Sequence, residues 1–465
     1  MITIPNDVQI IINKLNTNGF KAYAVGGCVR DCLLGLIPKD WDITTNAAPD
    51  DIKKTFNDSS DMDLKDSYTI DTGLKHGTVT VRLNAANYEV TTFRTESTYS
   101  DNRHPDKVFF TDHVEDDLSR RDFTVNAIAY SPSDGLIDPF DGMSDIKNKV
   151  IRCVGNPSLR FQEDALRMLR AVRFSASLNF DIDRETLKAL SLNRERIKNI
   201  SFERIFDELN KLISSSDPYK INLLHDAGIL GIILPEFDCC YGVAQNTPHH
   251  IYDVAEHTLH VVENAGNCIR SGQAKPAPIN LKILKWAALF HDCGKPQSKV
   301  TENGIDHFKK HAEVSVNMAD SAMKRLKFDN FTANEIKKII LFHSDRREPT
   351  PLIIRNYLRQ IGPDSLINLI ELKRADALSK SPDTSMLSIK KINLCKDILA
   401  KVLQKNHCYS LDTLALNGSD LIILGFKPGK NIGVVLNHLL DKVIENPDLN
   451  EKDSLIKLAE NLGVL

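Results

Sequence analysis

Two aspartates separated by a single residue are the first candidates for chemistry in this chain. Asp40 and Asp42 fall in the stretch 39–43, which is predicted to be a strand, where residues i and i+2 point to the same face. Two neighbouring carboxylates repel each other unless a cation lies between them. They therefore predict a site for divalent cations, most simply Mg²⁺ that also binds the phosphates of a nucleotide. Glu89, on a later predicted strand, is a candidate third carboxylate or an ordinary strand acid.

A pair of glycines precedes these aspartates. Gly26 and Gly27 follow the short apolar strand 22–25, and a helix that begins at Arg30–Asp31 is predicted to end at Gly35. Glycines at such a turn let backbone N–H groups approach a triphosphate closely. By itself a DxD pair is more often a solvated strand face, but the combined pattern GGxVRDxLLGx4DxDxT is far more specific.

A second pattern lies on a helix predicted to start near residue 157. Asp164 and Arg167 are three residues apart and so share one face of a helix, with Glu163 beside them. A carboxylate acceptor and a forked guanidinium donor on one face can match the Watson–Crick edges of C and A by hydrogen bonds. The alternative is a salt bridge on a surface helix.

Histidines and aspartates in the middle of the chain suit a metal site. Neutral imidazoles and carboxylates on successive helices favour a mono- or binuclear site for a transition metal such as Mn²⁺, Co²⁺ or Ni²⁺, which generates hydroxide for attack on a phosphate ester. The predicted primary ligands are His257, His291, Asp292 and Asp376, with His311 and His343 for a second ion and Lys295 for a phosphate. Their order resembles that of the HD phosphohydrolase superfamily. A metal-stabilised scaffold without turnover is the alternative.

The glycine–aspartate pattern resembles the signature of the nucleotidyltransferase superfamily, in its branch of tRNA CCA-adding enzymes and bacterial poly(A) polymerases (class II). The resemblance implies that Asp40 and Asp42 bind the catalytic metals. It also implies that the RRDFTxNA stretch holds the triphosphate and ribose. The helix with Glu163, Asp164 and Arg167 would replace a nucleic-acid template by reading the base. The implied nucleotide-binding residues are Gly26, Gly27, Arg30, Arg121, Asp122, Asn126, Asp164, Arg167, Arg170 and Arg173.

Two further segments resemble parts of the same family. Residues 94–105 resemble its flexible loop, which is needed when the enzyme switches to adding A. Residues 200–209 resemble a motif that braces the neck, with Ser201 as a helix N-cap and Arg204 as a buttress.

The resemblance implies attack of a tRNA 3′-hydroxyl on the α-phosphate of CTP and then of ATP. Three alternatives stay open: a poly(A) polymerase that uses ATP alone, a partial enzyme that adds only CC or only A, and an HD phosphohydrolase that merely binds RNA. The complete pattern at Glu163, Asp164 and Arg167 favours CCA addition, and the presence of the loop at 99–105 argues against CC addition alone.

The elements that must position these residues change along the chain. The first 150 residues mix strand and helix signals, with a predicted hairpin formed by 78–82 and 88–93, whereas apolar spacing of helical period dominates from about residue 157. We expect an α+β fold: a small mixed-sheet nucleotidyltransferase head, then an all-α neck, an HD domain and a C-terminal helical body. The predicted domains are 1–150 (head), 151–235 (neck, base-reading and RNA-binding), 236–385 (HD domain) and 386–465 (body and tail, tRNA-binding).

The amino-acid composition excludes several classes of protein. The 465 residues are 42% hydrophobic and 26% charged with a net charge of -3, which excludes a disordered chain and a protein coated in positive charge. No run of 18 apolar residues predicts a membrane helix, the N-terminus does not resemble a signal peptide, and the nine cysteines contain no CxxC pair. We expect a cytoplasmic protein whose partners are tRNA, CTP and ATP. The sequence leaves its oligomeric state open.

Overall fold

The computed structural model describes residues 2–57, 67–97, 107–267 and 279–462. The chain divides into two compact units, residues 1–233 and 234–465. The expected α+β class is confirmed, because the sheet lies in the first unit and helices dominate the rest. The finer domain boundaries near residues 150 and 385 stay predictions.

The first unit is built on one mixed sheet. Its strand order is β3-β4-β5-β2-β1-β8-β9, and every neighbouring pair is antiparallel except β2 and β5, which are parallel. The predicted hairpin is present as β4 and β5. The strands of this unit are β1 (Ala22–Val25), β2 (Asp42–Thr45), β3 (Tyr68–Gly73), β4 (Thr78–Leu83), β5 (Ala86–Thr92), β6 (Arg94–Glu96), β7 (Val108–Phe110), β8 (Ala129–Ser131), β9 (Gly135–Ile137), β10 (Val150–Ile151) and β11 (Asp181–Ile182).

Eleven helices complete the described part of the first unit. They are α1 (Asn6–Thr17), α2 (Gly27–Leu33), α3 (Pro49–Phe56), α4 (Val114–Ser119), α5 (Gly142–Asn148), α6 (Pro157–Glu163), α7 (Leu166–Leu178), α8 (Arg184–Asn193), α9 (Phe202–Ser214), α10 (Asn222–Asp226) and α11 (Leu230–Ile233). The apolar residues of α1 recur at helical spacing and are all buried: Val8, Ile11, Ile12 and Leu15. This stripe contacts β1, whose four residues are also buried.

The strand that carries the aspartates is shorter than predicted. The sequence predicts a strand over 39–43, but β2 begins only at Asp42, so Asp40 precedes the strand instead of lying on its face. The neighbouring β1 ends at Val25 because Gly26 turns the chain with a φ of 82°. Residues 39–41 therefore have no strand on that side to pair with.

The helix that carries the predicted base-reading pair is interrupted. The sequence predicts that Asp164 and Arg167 share a face of one helix, and this prediction is wrong. Helix α6 ends at Glu163, Asp164 is extended with φ -140° and ψ 106°, and α7 begins at Leu166. The Asp164 carboxylate lies one residue before Ala165, the N-cap of α7, and accepts a hydrogen bond of 3.0 Å from the N–H of Leu166, the first residue of that helix.

The second unit is helical apart from one hairpin. Its strands β12 (Lys299–Glu302) and β13 (Ile305–Phe308) are antiparallel and joined by Asn303-Gly304, both with positive φ, as a tight hairpin turn requires. Its helices are α12 (Pro235–Asp238), α13 (Val254–Asn267), α14 (Leu281–Phe290), α15 (Lys295–Ser298), α16 (His311–Arg325), α17 (Asn330–Phe342), α18 (Pro351–Leu378), α19 (Pro382–Gln404), α20 (Gly418–Ile423), α21 (Lys430–Glu445) and α22 (Lys452–Asn461). Among the residues described, no helix is long and apolar enough to cross a membrane.

Candidate active site

Three carboxylates come together beside the start of β2 in the first unit. Asp42 begins β2 and is the register partner of Glu89 on the parallel strand β5, so the two side chains leave the same face of the sheet. Loss of surrounding water raises the pKa of Glu89, and Asp42 and then Asp40 raise it further. Loss of water also raises the pKa of Asp42, where Arg121 opposes the increase and Asp40 adds to it. Such a cluster of repelling carboxylates fits divalent cations.

Arg121 lies against the glycine turn. A Cβ atom on Gly26 would be 2.8 Å from Arg121 Nη1, and the φ of 82° at this position already favours glycine. The Arg121 side chain has its Nη2 3.4 Å from Asp117 Oδ2, and its buried Nε has no hydrogen-bond partner in the described part of the chain. The turn and the guanidinium thus form a cradle for an anion, with the Asp42 carboxylate nearby.

A chain of hydrogen bonds joins four of the predicted nucleotide-binding residues. Arg30 Nη1 donates to Asn126 Oδ1 at 2.5 Å, and Asn126 Nδ2 donates to Asp122 Oδ1 at 3.1 Å. Arg170 Nε donates to Asp122 Oδ2 at 2.7 Å. Burial by itself would raise the pKa of Asp122, but the Arg170 and Arg167 guanidiniums hold it at about 2. Asp122 therefore remains ionised and connects α2 to α7.

An aromatic ring packs against the arginines of this chain. The guanidinium carbons of Arg30, Arg170 and Arg173 lie 5.1, 5.3 and 3.5 Å from the centroid of the Phe174 ring. Arg173 is also fixed from α9, because its Nε donates to Glu208 Oε2 at 2.9 Å. From the sequence Phe174 is expected only in the apolar core, although a visible signal precedes it: Arg167, Arg170 and Arg173 are spaced three residues apart and lead directly to this aromatic residue.

Asp164 and Arg167 do not bond to each other through their side chains. Arg204 Nη2 on α9 donates to Asp164 Oδ2 at 2.7 Å. Arg167 Nη1 donates to Glu163 Oε2 at 2.5 Å, and Arg167 Nη2 donates to the Arg120 carbonyl at 3.0 Å. Each side chain of the predicted pair is thus held by its own partner, which fixes the direction of its polar atoms.

The flexible loop is predicted over 94–105; residues 94–96 form strand β6 instead, and residues 98–105 lie outside the described residues. The strands β6 and β7 that flank it are antiparallel. At their base Glu96 Oε1 is 2.9 Å from Arg94 Nη2 and 3.1 Å from Arg120 Nη1, and Arg120 Nη2 is 2.7 Å from Asp117 Oδ1. Asp117 thus contacts both Arg120 and Arg121.

All six predicted metal ligands of the second unit gather around Asp292. Its Oδ2 is 3.1 Å from His291 Nε2 and 3.7 Å from His257 Nε2, and its Oδ1 is 3.4 Å from His311 Nε2 and 3.6 Å from His343 Nε2. Asp376 Oδ1 completes the set at 3.1 Å from His257 Nε2. Two groups have ligand atoms close enough to share one ion: His257, His291 and Asp376, and His291, Asp292 and His343.

The backbone directs the imidazoles towards this centre. Each of the four rings is bonded through Nδ1 to a carbonyl, at distances between 2.6 and 3.2 Å, so that Nε2 points inward. The four carbonyls belong to Ser379, Ala288, Phe308 and Ile340. The buried Nε2 of His291 has no partner of hydrogen-bond geometry among the described residues, although Asp292 is close. An orphaned ring nitrogen among carboxylates fits a metal ion.

Gln245 and His250 also lie near this centre, and sequence reasoning did not select them. Lys295 Nζ lies 2.6 Å from Asp292 Oδ2 and donates to Gln245 Oε1 at 2.6 Å. His250 packs edge-on against His257 with ring centroids 4.8 Å apart, and burial followed by the Lys295 charge lowers the pKa of His250 to about 2. Neither Gln245 nor His250 stands in a motif that marks it, and only folding brings them here.

Three family models match successive parts of the chain. The poly A polymerase head domain matches residues 22–152, the probable RNA- and SrmB-binding site of polymerase A matches 179–240, and the HD domain matches 250–381. A protein from Ligilactobacillus salivarius called CCA-adding enzyme is 49% identical over 97% of this chain and 95% of its own length. The chain belongs to the CCA-adding enzymes.

Solved structures of CCA-adding enzymes share the fold. The Bacillus stearothermophilus CCA-adding enzyme in complex with CTP is 27% identical, covers 99% of this chain and 98% of its own, and superposes with a TM-score of 0.69. The Thermotoga maritima enzyme complexed with tRNA is 19% identical, covers 99% and 97%, and has a TM-score of 0.59, which supports the likeness of fold alone. The membership agrees with the family predicted from the sequence.

Proposed function

We propose that this CCA-adding enzyme adds C, C and A in turn to the 3′ end of tRNA, using CTP and ATP without a nucleic-acid template. In each step the terminal 3′-hydroxyl oxygen forms a bond to the α-phosphorus of the nucleotide. The bond from that phosphorus to the bridging oxygen breaks, pyrophosphate leaves and the hydroxyl proton is released. The observation that carries the proposal is the cluster of Asp40, Asp42 and Glu89 beside Arg121 and the Gly26 turn.

The carboxylates account for the metals this reaction needs. Asp40 and Asp42 would hold two Mg²⁺ ions, and Glu89 would be the third ligand, because it stands opposite Asp42 on the parallel strand β5. When bound, such ions activate the attacking hydroxyl and neutralise charge on the leaving phosphates. Without cations the charge of Asp40 raises the pKa of Asp42, and both aspartates raise the pKa of Glu89, so the site favours the metal-bound state.

The residues beside the carboxylates hold the nucleotide. The N–H groups at the Gly26–Gly27 turn and the forked Arg121 bind the triphosphate. Asp122 and Asn126 frame the ribose while Arg30 and Arg170 fix their side chains from opposite ends. Arg173 is a positioning residue, since it packs on Phe174 and is tied to Glu208.

Base selection falls to Asp164 and Arg167. Cytosine and adenine both present an amino donor next to a ring-nitrogen acceptor, which one carboxylate acceptor and one guanidinium donor match. Because Arg204 and Glu163 hold these side chains from separate elements, the two groups are preorganised to reject bases with the opposite pattern. The tRNA is recognised by its shape and backbone, as structured RNA usually is.

Replacing the carboxylates tests this assignment. Asp40→Asn and Asp42→Asn keep the size of each side chain but remove the charge that binds metal. We expect either variant to lose nucleotide transfer while retaining its fold, measured by incorporation of labelled CTP into a tRNA that lacks its CCA end. Transfer at the normal rate by both variants would overturn the assignment. A poly(A) polymerase or a partial enzyme is not favoured, because the relatives that match this chain along its length are named CCA-adding enzymes.

A second proposal concerns the HD centre, where the orphaned His291 nitrogen favours a bound metal. We propose that His257, His291, Asp292 and Asp376 hold a transition metal such as Mn²⁺, Co²⁺ or Ni²⁺, with His311 and His343 as ligands of a second ion. When bound, the metal supplies hydroxide for hydrolysis of a phosphate ester. Lys295 then steadies the phosphate and Gln245 orients Lys295. Metal-stripped protein that regains no phosphatase or phosphodiesterase activity with any of these ions or with Mg²⁺ would refute the hydrolase proposal.

The cellular setting is also a proposal. We place this activity in the cytoplasm, where tRNA ends are processed. All eight cysteines in the described part of the chain are free thiols, which suits a reducing compartment.

A further inference from the structure

A short exposed turn connects helix α2, which begins at Gly27, to the proposed metal-binding aspartates. Helix α2 ends at Leu33, and the chain then reaches Asp40 through residues 34–39. Ile37 is 93% exposed and Leu36 is 53% exposed, and Lys39 and Asp40 are exposed as well. Two large aliphatic side chains therefore stand in solvent within four residues of a catalytic carboxylate.

The helix ending does not account for these exposed side chains. Gly35 adopts a φ of 72°, the Gly35 N–H bonds to the Cys32 carbonyl at 3.0 Å, and the Leu36 N–H bonds to the Asp31 carbonyl at 2.8 Å. In this type of helix ending the apolar residue after the glycine usually packs back onto the last helical turn. Here Leu36 keeps half of its surface in solvent and Ile37 nearly all of it, so neither contributes much to the core.

The charges of the site show from which side the RNA must come. Arg121 lies beside Asp42 and the Gly26 turn, which places the triphosphate at that end of the carboxylate cluster. Asp40 precedes the strand and, like Asp42, is exposed. With the triphosphate at Arg121, the attacking hydroxyl would approach from the side of Asp40. Consecutive Cα atoms are about 3.8 Å apart, so the Cα of Ile37 lies within about 11 Å of the Cα of Asp40, a distance that two nucleotides span.

We propose that the turn formed by residues 36–39 is a platform for the single-stranded 3′ end of the tRNA, an inference that rests on the proposed function. Leu36 and Ile37 pack against the faces of the terminal base and ribose, and the Lys39 ammonium neutralises a phosphodiester. Apolar packing accepts any base, which suits a primer whose last nucleotide changes with every addition. The platform thus positions the RNA end without selecting it.

Kinetic analysis of two substitutions tests the platform. In Ile37→Ser we expect an about fivefold rise in the KM for tRNA lacking CCA, because apolar contact area is lost, with the KM for CTP unchanged. In Lys39→Ala we expect the dependence of log KM on log salt to flatten by about 0.7, the value for one phosphate contact on a single strand. The conservative variant Ile37→Leu should keep the wild-type KM for tRNA, and Lys39→Arg should keep the wild-type salt dependence. Lys54→Ala, an exposed lysine on α3, is the matched control.

The outcomes separate this inference from the function on which it rests. If the wild-type enzyme extends tRNA, Asp40→Asn abolishes extension, and Ile37→Ser and Lys39→Ala match the wild type in KM and salt slope, the platform is refuted and the function stands. If the wild-type enzyme extends no tRNA, both fail. A rise in the KM for CTP equal to that for tRNA also refutes the platform, because it would indicate a general disturbance of the site.

Discussion

Asp42 and Glu89 stand opposite each other on the only parallel pair of neighbouring strands in the described sheet, with their carboxylates on one face. The pKa of each carboxylate is raised, first by loss of water, and the charge of Asp42 adds to the increase at Glu89. Glu89→Gln, which keeps the shape, should raise the Mg²⁺ concentration needed for half-maximal transfer by roughly 10- to 100-fold. A magnesium titration of nucleotide incorporation measures this, and an unchanged titration would exclude Glu89 as a ligand.

Gly26 and Gly19 offer a matched pair for the anion cradle. Both have positive φ, 82° and 86°, but a Cβ on Gly26 would meet Arg121 at 2.8 Å, whereas one on Gly19 would meet nothing within 4 Å. Alanine in the left-handed helical region costs about 1–2 kcal/mol, and the backbone strain should be larger at Gly26, whose ψ of -129° lies outside that region. Only Gly26→Ala should also raise the KM for CTP and ATP, because it displaces Arg121. Equal KM values in the two variants would contradict the role assigned to the turn.

The buried Asp122 makes stability depend on pH. Its pKa of about 2 lies below the ordinary value of 3.8, so its ionised form stabilises the fold above pH 3.8, and this contribution is lost as the pH falls towards 2. The contribution is about 2 kcal/mol. Urea unfolding of the wild type and of Asp122→Asn should therefore give free energies of unfolding that converge between pH 4 and about pH 2. Curves that remain parallel over this range would show that Asp122 does not titrate as the structure implies.

The partner of Asp164 should control which nucleotide is accepted. Arg204→Ala removes the ion pair that fixes the Asp164 carboxylate, so we expect the preference for CTP over UTP to fall by about tenfold, measured as the ratio of kcat/KM values. Lys198→Ala, which removes an exposed ion pair with Glu195, is the control and should keep the preference. If selectivity survives in Arg204→Ala, Asp164 reads the base without this support or does not read it.

Metal in the HD centre should stabilise the second unit. A ligand that binds only the folded state raises stability by mass action, so removal of metal with a chelator should lower the unfolding midpoint of the wild type. Asp292→Asn removes the carboxylate at the centre and should abolish the chelator effect, whereas Asp320→Asn on the surface of α16 should keep it. Calorimetry together with metal analysis measures both. A chelator effect of equal size in Asp292→Asn would place the metal elsewhere.

The sequence predicted the candidate residues better than their local backbone. The glycine turn, the hairpin with Glu89 and the six candidate metal ligands of the second unit could be selected because their residue types, their order and their resemblance to known families mark them. The break at Asp164 could not, because the stretch has helical spacing and only the Leu166 N–H and Arg204 show why the helix stops there. Strand β2 starts late for a similar reason, since a strand needs a partner and β1 turns away at Gly26.

Contacts between segments that are far apart in the sequence could not be predicted either. Gln245 reaches Lys295 across fifty residues, and Glu208 holds Arg173 across thirty-five. No local pattern marks either residue, because their roles exist only after the helices pack. The Asn303-Gly304 turn was different: its signal is visible in the sequence, and it joins a hairpin that lies between two predicted helices and was itself not predicted.

If this enzyme adds C, C and A in order, the added nucleotides can be identified one by one. A tRNA transcript lacking its last three nucleotides would be incubated with CTP, with ATP or with both, and the products resolved on a sequencing gel. We expect two added residues with CTP alone, three with both nucleotides and no ladder with ATP alone. A long ladder with ATP alone, or extension that stops after two residues when both nucleotides are present, would contradict it.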